Sequence, residues 1–128
     1  MPATILLPAL KPEIDLAIDT AALEERSTIV HCTLTVACLL RISPQTFLVQ
    51  EDGSRRALLH AYRIVQAPAW DFAGPDHNFT LVFEGLGRTC RAFDLVEDVQ
   101  EPYPFHFTGI ARNGSDVYHL EYPNFPFG

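Results

Sequence analysis

The chain has 128 residues, 48% of them apolar with nine Phe and four Tyr, and 16 acidic against nine basic residues give a formal charge of −7. That length supports one domain whose core needs neither metal nor disulfide, and the apolar content excludes a disordered polymer. Eight of the nine basic residues are Arg and none form a run, so phosphate backbones and anionic lipid meet an unfavourable field; neither nucleic-acid binding nor membrane insertion is expected.

Residues 1–12 read as an extended arm broken by Pro8 and Pro12. They make a poor signal peptide, lacking a positive start, and no segment reaches the length of a membrane helix. The sequence as given is therefore expected in the cytoplasm, or in the periplasm or outside the cell if a leader has been removed. Residues 13–19 alternate as a first strand. Residues 20–26 have helical composition but are too few for more than one turn of helix or a loop.

The strongest pattern lies in residues 27–40. Val30, Cys32, Leu34, Val36, Cys38 and Leu40 fall on one side, and His31, Thr33, Thr35 and Ala37 on the other, which predicts one long strand with a buried face. Pro44 ends it. Residues 46–50 and 55–65 flank Asp52-Gly53, a hairpin signal in which both turn residues tolerate positive φ. Residues 67–77 carry two prolines and show no period. Residues 79–84 and 91–97 alternate again, and residues 105–112 and 116–122 form two more strands joined by Asn113-Gly114, read as a second two-residue hairpin turn. Residues 123–128 form an aromatic, proline-rich tail expected to lie along a sheet edge. Seven to nine short strands without a long helix predict an all-β single domain over 1–128, an antiparallel immunoglobulin-like β-sandwich.

Four segments, STIVHCTL (27–34) with RISPQTFLV (41–49), Asp52-Gly53, FTLVFEGL (79–86) and FDLVE (93–97), resemble small β-sandwich domains of bacterial, especially Bacteroidetes, proteins. Some of those domains are attached to thioredoxin-like or lipoprotein partners, and telokin-like immunoglobulin-fold domains follow a similar logic. The resemblance implies an accessory role and defines no catalytic residues. The chain departs from the group in lacking a Cys-x-x-Cys segment and an evident leader.

The residues carry little that reads as chemistry. Cys32 and Cys38, on one predicted strand, would sit about 20 Å apart at roughly 3.3 Å per residue, too far for a disulfide. Cys90, between Arg88 and Arg91, is the one thiol with neighbours that favour a thiolate. His31, His60, His77, His106 and His119 show no metal-ligand spacing, with His31 and His119 facing away from the core, so neither a metal nor another cofactor is expected. Ser115, Asp116 and His119 have the residue types of a triad, but Asp116 is better explained as turn chemistry. Asp94 and Glu97 fall on opposite faces of a strand.

Residues 70–77 hold the sole Trp and collect Trp70, Asp71, Phe72, Asp76 and His77 on an unusually long connection, the place where a rigid β scaffold tends to bind. The plainer reading has Trp70 and Phe72 capping an open end of the core. Tyr103, Phe105, Phe107, Tyr122, Phe125 and Phe127 offer a second aromatic set, for packing or for contact between subunits. The expectation is thus a non-catalytic module that binds a protein partner. Its alternatives are a homodimerising subunit, and a small-ligand carrier or barrel-like enzyme whose pocket draws on Trp70, Asp71 and His77 with His60 or His106.

Overall fold

The computed structural model of the chain describes residues 26–100 and 104–123. The arm at 1–12, the strand expected at 13–19, the turn expected at 20–26 except for Arg26, and residues 124–128 of the tail lie outside the described residues, as do Tyr103, Phe125 and Phe127.

Nine strands and no helix are present among the described residues: β1 (Thr28–Leu34), β2 (Cys38–Leu40), β3 (Thr46–Gln50), β4 (Arg55–Tyr62), β5 (Asp71–Ala73), β6 (Asn78–Phe83), β7 (Ala92–Glu97), β8 (His106–Ala111) and β9 (Val117–Tyr122). Seven make one sheet in the order β8-β7-β3-β4-β6-β1-β9, and β2 pairs with β5 in a separate ribbon. The fold is all-β as expected, but the antiparallel immunoglobulin-like sandwich needs correcting in two respects. β1 and β9 run parallel, with Ile29 opposite Val117 and Leu34 opposite Tyr122. The seven strands also form one hydrogen-bonded sheet, curled into a half-barrel, rather than two sheets face to face. The curl brings distant strands together: Phe93 of β7 meets Tyr118 of β9 edge-on at 5.0 Å, and Phe107 of β8 lies 6.2 Å from Tyr122.

Alternation decides what lies inside. Val30, Cys32 and Leu34 of β1, Phe79, Leu81 and Phe83 of β6, and Phe93 and Leu95 of β7 fill the concave side, while His31, Thr33, Thr80 and Asp94 between them stay partly wet. Each buried Leu or Phe contributes roughly 1.5–3 kcal/mol relative to exposure, and these three strands supply eight of the seventeen buried apolar residues among those described.

The run at 27–40 divides into two strands in different sheets. Beyond Leu34 the Thr35 amide donates to the Tyr122 carbonyl and the Asp76 amide to the Leu34 carbonyl. This bends the chain out of the main sheet and leaves Val36 exposed. Cys32 and Cys38 are consequently on separate sheets, and both are free thiols. The hairpin around Asp52-Gly53 is present, with Phe47 opposite Ala57, but its connection spans 51–54 and only Gly53 takes positive φ (87°). Asp52 instead accepts hydrogen bonds from the Ser54 amide and hydroxyl.

The second expected hairpin does not form. β8 pairs with β7, and β9 crosses to the free edge of β1. The local cause is the 112–116 loop: Asn113 Oδ1 accepts the amides of Ser115 and Asp116, and Asp116 adopts φ 56° with its side chain buried. That left-handed residue, tolerated best by Asn, Asp and Gly, redirects the chain so that Tyr118 packs onto Phe93. Within the aperiodic 67–77 segment lies β5, at three residues too short for a period to register.

One end of the half-barrel gathers Arg26, the 51–54 turn, the 84–91 loop and the 112–116 loop, since β1, β4, β7 and β9 start there and β3, β6 and β8 finish there. The bend after β1 and the 63–77 segment occupy the other end, about 20 Å away along β1 at the usual strand rise. No helix among the described residues is long and apolar enough to cross a membrane.

Candidate functional site

At the first end, the β6–β7 loop is tied down by backbone groups. Gly87 donates its amide to Gln50 Oε1 at 2.7 Å, Arg91 donates its amide to Glu51 Oε1 at 2.9 Å, and Cys90 donates its amide to the Gly87 carbonyl at 3.0 Å. Leu86 and Cys90 sink into the core. Arg88 and Thr89 between them and Arg91 just after them turn outward, and residues 88–90 border both a larger and a smaller lobe of a cleft.

The larger lobe, about 430 Å³, is lined by Arg26, Arg88, Arg91 and Arg112 with Thr89, Cys90, Asn113 and Gly114. The smaller, about 330 Å³, is lined by Gln50, Glu51, Asp52, Arg56 and Gly87, and shares Arg88, Thr89 and Cys90 with the first. Five of the eight arginines of an acidic chain therefore meet at one end of the fold. Both volumes fall in the range of small-molecule sites.

Arg112 anchors the larger lobe. Its Nε and Nη2 each donate to a different Asp116 oxygen at 3.0 Å, and Nη1 donates to the Gly87 and Cys90 carbonyls, fastening the 112–116 loop to the 84–91 loop. Tyr118 donates its hydroxyl to Asp116 Oδ1 at 3.0 Å, and Arg26 adds a longer contact at 3.4 Å. The bond to Asp116 holds the Arg112 guanidinium protonated above its ordinary value, and burial above all pushes the Tyr118 phenol up to about 12.

Asp116 pairs with two of the four guanidinium groups, those of Arg112 and Arg26, and no carboxylate lines the larger lobe among the described residues. Arg91 is exposed and its guanidinium has no acceptor among them; Arg56 Nε is shut off from solvent without one. Planar guanidinium groups so placed recognise phosphate or carboxylate through paired N–H donors.

Cys90 corrects the thiolate expectation. Burial dominates and pushes the thiol up, with Arg112 pulling the other way to smaller effect. Its neighbours Arg88 and Arg91 turn to the cleft instead, and its Sγ lies 3.4 Å from the Ala92 carbonyl. Burial also raises Cys32, to about 12.

The residues expected to bind, Trp70, Asp71, Phe72, Asp76 and His77, lie at the opposite end and do not converge. Asp76 sits in a turn at φ 70°. His77 Nε2 is 2.7 Å from the Arg63 carbonyl, with its ring stacked 6.4 Å from Phe79. Trp70 and Phe72 do not cap the core. They lie on the outer face of the β2–β5 ribbon, where Phe72 pairs with Leu39 and Arg41 stacks over the Trp70 ring at 3.9 Å. Trp70, Phe72 and Leu39 are 53%, 68% and 60% exposed, whereas Leu40 and Ala73 on the inner face are buried.

His60 and His106 sit on the outer faces of different strands, away from that segment. His31 and His119 do meet, as the register partners of the parallel β1–β9 pair, with rings stacked at 5.1 Å. His31 Nδ1 lies 2.8 Å from Thr80 Oγ1. No three His, Cys, Asp or Glu side chains among the described residues gather as a metal set. The Ser115, Asp116 and His119 types do not form a triad: Asp116 is held by Arg112 and Tyr118, and His119 faces His31.

Sequence reasoning missed the cleft because it looked for a basic run. Arg26, Arg56, the neighbouring Arg88 and Arg91, and Arg112 come from four separate stretches of the chain and meet only through strand order. The available signal was the choice of Arg over Lys, with two arginines flanking Cys90. No protein-family model, curated protein or solved structure matches the chain.

Proposed function

We propose that the protein is a non-catalytic binding module whose ligand is a small oxyanion-bearing molecule held in the arginine cleft. The observation that carries this reading is the convergence of Arg26, Arg88, Arg91 and Arg112 on a lobe that no carboxylate lines among the described residues, in a chain of net charge −7. An acidic protein that places its arginines together creates a local field opposite to its overall one, which concentrates anions at that end. The non-catalytic part rests on the lining itself: among the described residues it contains no His, and burial raises the Cys90 thiol above its ordinary value.

The test is calorimetric titration of inorganic phosphate at low ionic strength. Saturable binding is expected that weakens with added salt and falls by about tenfold in Arg91→Ala, the loss of roughly one charge-assisted hydrogen bond. Heat-silent titrations, with no rise in melting temperature, would refute the reading.

A second reading is favoured by the exposed row of Leu39, Trp70 and Phe72, which is an apolar patch of the kind that marks protein contacts. Its occupant is a second copy of the chain, because a two-fold pairing sets the row against itself and needs no further complementarity. Sedimentation at rising concentration tests it; a monomer throughout, unchanged by Phe72→Ser, would sink it. An accessory role alongside other bacterial domains, proposed from the resemblance, fits either reading: its four segments fall on β1, the Ile42 bridge with β3, the 51–54 turn, β6 with the start of its following loop, and β7.

A further inference from the structure

On the convex face of the sheet, outside the arginine cleft, we infer that His31 and His119 form a binding site for a divalent transition-metal ion of the zinc class. The parallel pairing of β1 with β9 sets the two residues directly opposite each other, with backbones about 4.8 Å apart at the usual strand spacing. Their rings stack with centres 5.1 Å apart and 28° between the planes. Both alternate with the buried side chains of their strands, so His31 is half-buried and His119 exposed.

Zinc held by an imidazole nitrogen at about 2.0–2.1 Å lies roughly 3.2 Å from the ring centre. Two rings with centres 5.1 Å apart can therefore share one ion at an N–Zn–N angle of roughly 105°, close to tetrahedral. The spacing suits a common ion without movement of the backbone. His31 Nδ1 lies 2.8 Å from Thr80 Oγ1 on β6, which flanks β1 on the side opposite β9. With Nδ1–H donating to that hydroxyl, Nε2 across the ring keeps its lone pair and faces away from β6, the tautomer a metal requires. His119 makes no hydrogen bond among the described residues. Its ring can turn about a broad terminal torsion to meet the ion without breaking one. No third His, Cys, Asp or Glu among the described residues joins the pair, so water fills the remaining positions. Glu121, next but one along β9 on the same face, and the net charge of −7 favour a cation there. Imidazole donors select zinc, copper or nickel over magnesium and calcium.

The experiment is calorimetric titration of the full chain, freed of metal, with Zn2+ in a non-coordinating buffer, alongside His31→Gln, His119→Gln and Thr80→Val. The wild type should bind an ion that each histidine variant binds at least about tenfold more weakly. Thr80→Val keeps both ligands and removes only the group that orients His31; it should weaken binding by about 10–100-fold. The ring-proton resonances of His31 and His119 should shift together as Zn2+ is added, and excess Mg2+ should not reverse the shift. Melting profiles confirm the fold of each variant, and His119→Gln alters an exposed side chain, so it carries the test even where His31→Gln is destabilised. Zinc affinity that survives in both histidine variants, or falls in only one of them, would overturn the shared site, as would reversal by Mg2+. Unchanged affinity in Thr80→Val would overturn the tautomer that leaves Nε2 to the ion.

Discussion

Removing the Arg112 guanidinium tests the junction on which the cleft depends. Asp116 is 1% exposed and receives two hydrogen bonds from Arg112 and one from Tyr118. Arg112→Met keeps most of the side-chain stem but leaves that carboxylate with the Tyr118 hydroxyl and the longer Arg26 contact alone, and breaking a buried pair from one side costs about 3–5 kcal/mol. Arg112 is itself 12% exposed, so water reaches part of the site and the lower end of that range applies. With an unfolding entropy of about 2.1 cal/mol/K per residue, 128 residues give roughly 0.27 kcal/mol/K, and a loss of about 3 kcal/mol lowers the melting temperature by about 11 °C. Asp116→Asn preserves a residue type that tolerates φ 56°, and the double variant removes both charges. Urea denaturation of the wild type, both singles and the double at constant m-value should therefore show a coupling energy of about 1.5 kcal/mol or more, the double being less damaged than the sum of the singles. A coupling below about 0.5 kcal/mol would mean that the pair behaves as a solvent-screened surface contact, and the account of the loop junction would be wrong.

Glu97 is buried and accepts the Ser43 amide on one oxygen and the Phe105 amide on the other; Glu97→Gln turns one acceptor into a donor facing a donor, and should cost about 1–3 kcal/mol in urea denaturation, a neutral result disproving the two-amide arrangement. Native protein at pH 8 should react slowly with a thiol reagent such as Ellman's at all three cysteines, each raised by burial, and a fast stoichiometric phase lost in Cys90→Ser would show an activated thiol at the cleft. His31 is depressed by burial first and by His119 second. Its share of stability is therefore present above the ordinary value of 6.5 and lost as pH falls through the lower folded value. The decline in melting temperature below pH 6.5 should be shallower in His31→Gln, and identical slopes would contradict the stacked pair. Phe72→Ser should change stability by no more than about 0.5 kcal/mol, as expected for a 68% exposed side chain, whereas a loss above about 2 kcal/mol would show that the ribbon's outer face is covered.

What the sequence disclosed and what it withheld follow from the range of the interactions concerned. The alternation in β1, β3, β6 and β7 is local, because each strand has one face toward the core and its period can be read without knowing its neighbours. The break inside 27–40 was invisible for the same reason. The residues on both sides continue one period, and only the bonds from Tyr122 and Asp76, more than 40 positions away, pull Thr35 and Leu34 out of line. Asn113-Gly114 carried a true turn signal with the wrong consequence: Asn113 does order its loop, but through its side-chain oxygen, and Asp116 then sends β9 to the far edge of the sheet. The cleft is the limiting case. Its arginines come from the segment before β1, from β4 and from the β6–β7 and β8–β9 loops, so their proximity is a property of strand order alone. Strand order was what the parallel β1–β9 pair changed, since an antiparallel β8–β9 hairpin would have left β1 without its partner and Arg26 with no reason to lie beside Asp116. A misjudged turn at 113–116 thus hides the site, and the residues that set the turn, Asn113, Asp116 and Tyr118, belong to the same network that holds Arg112 in the cleft.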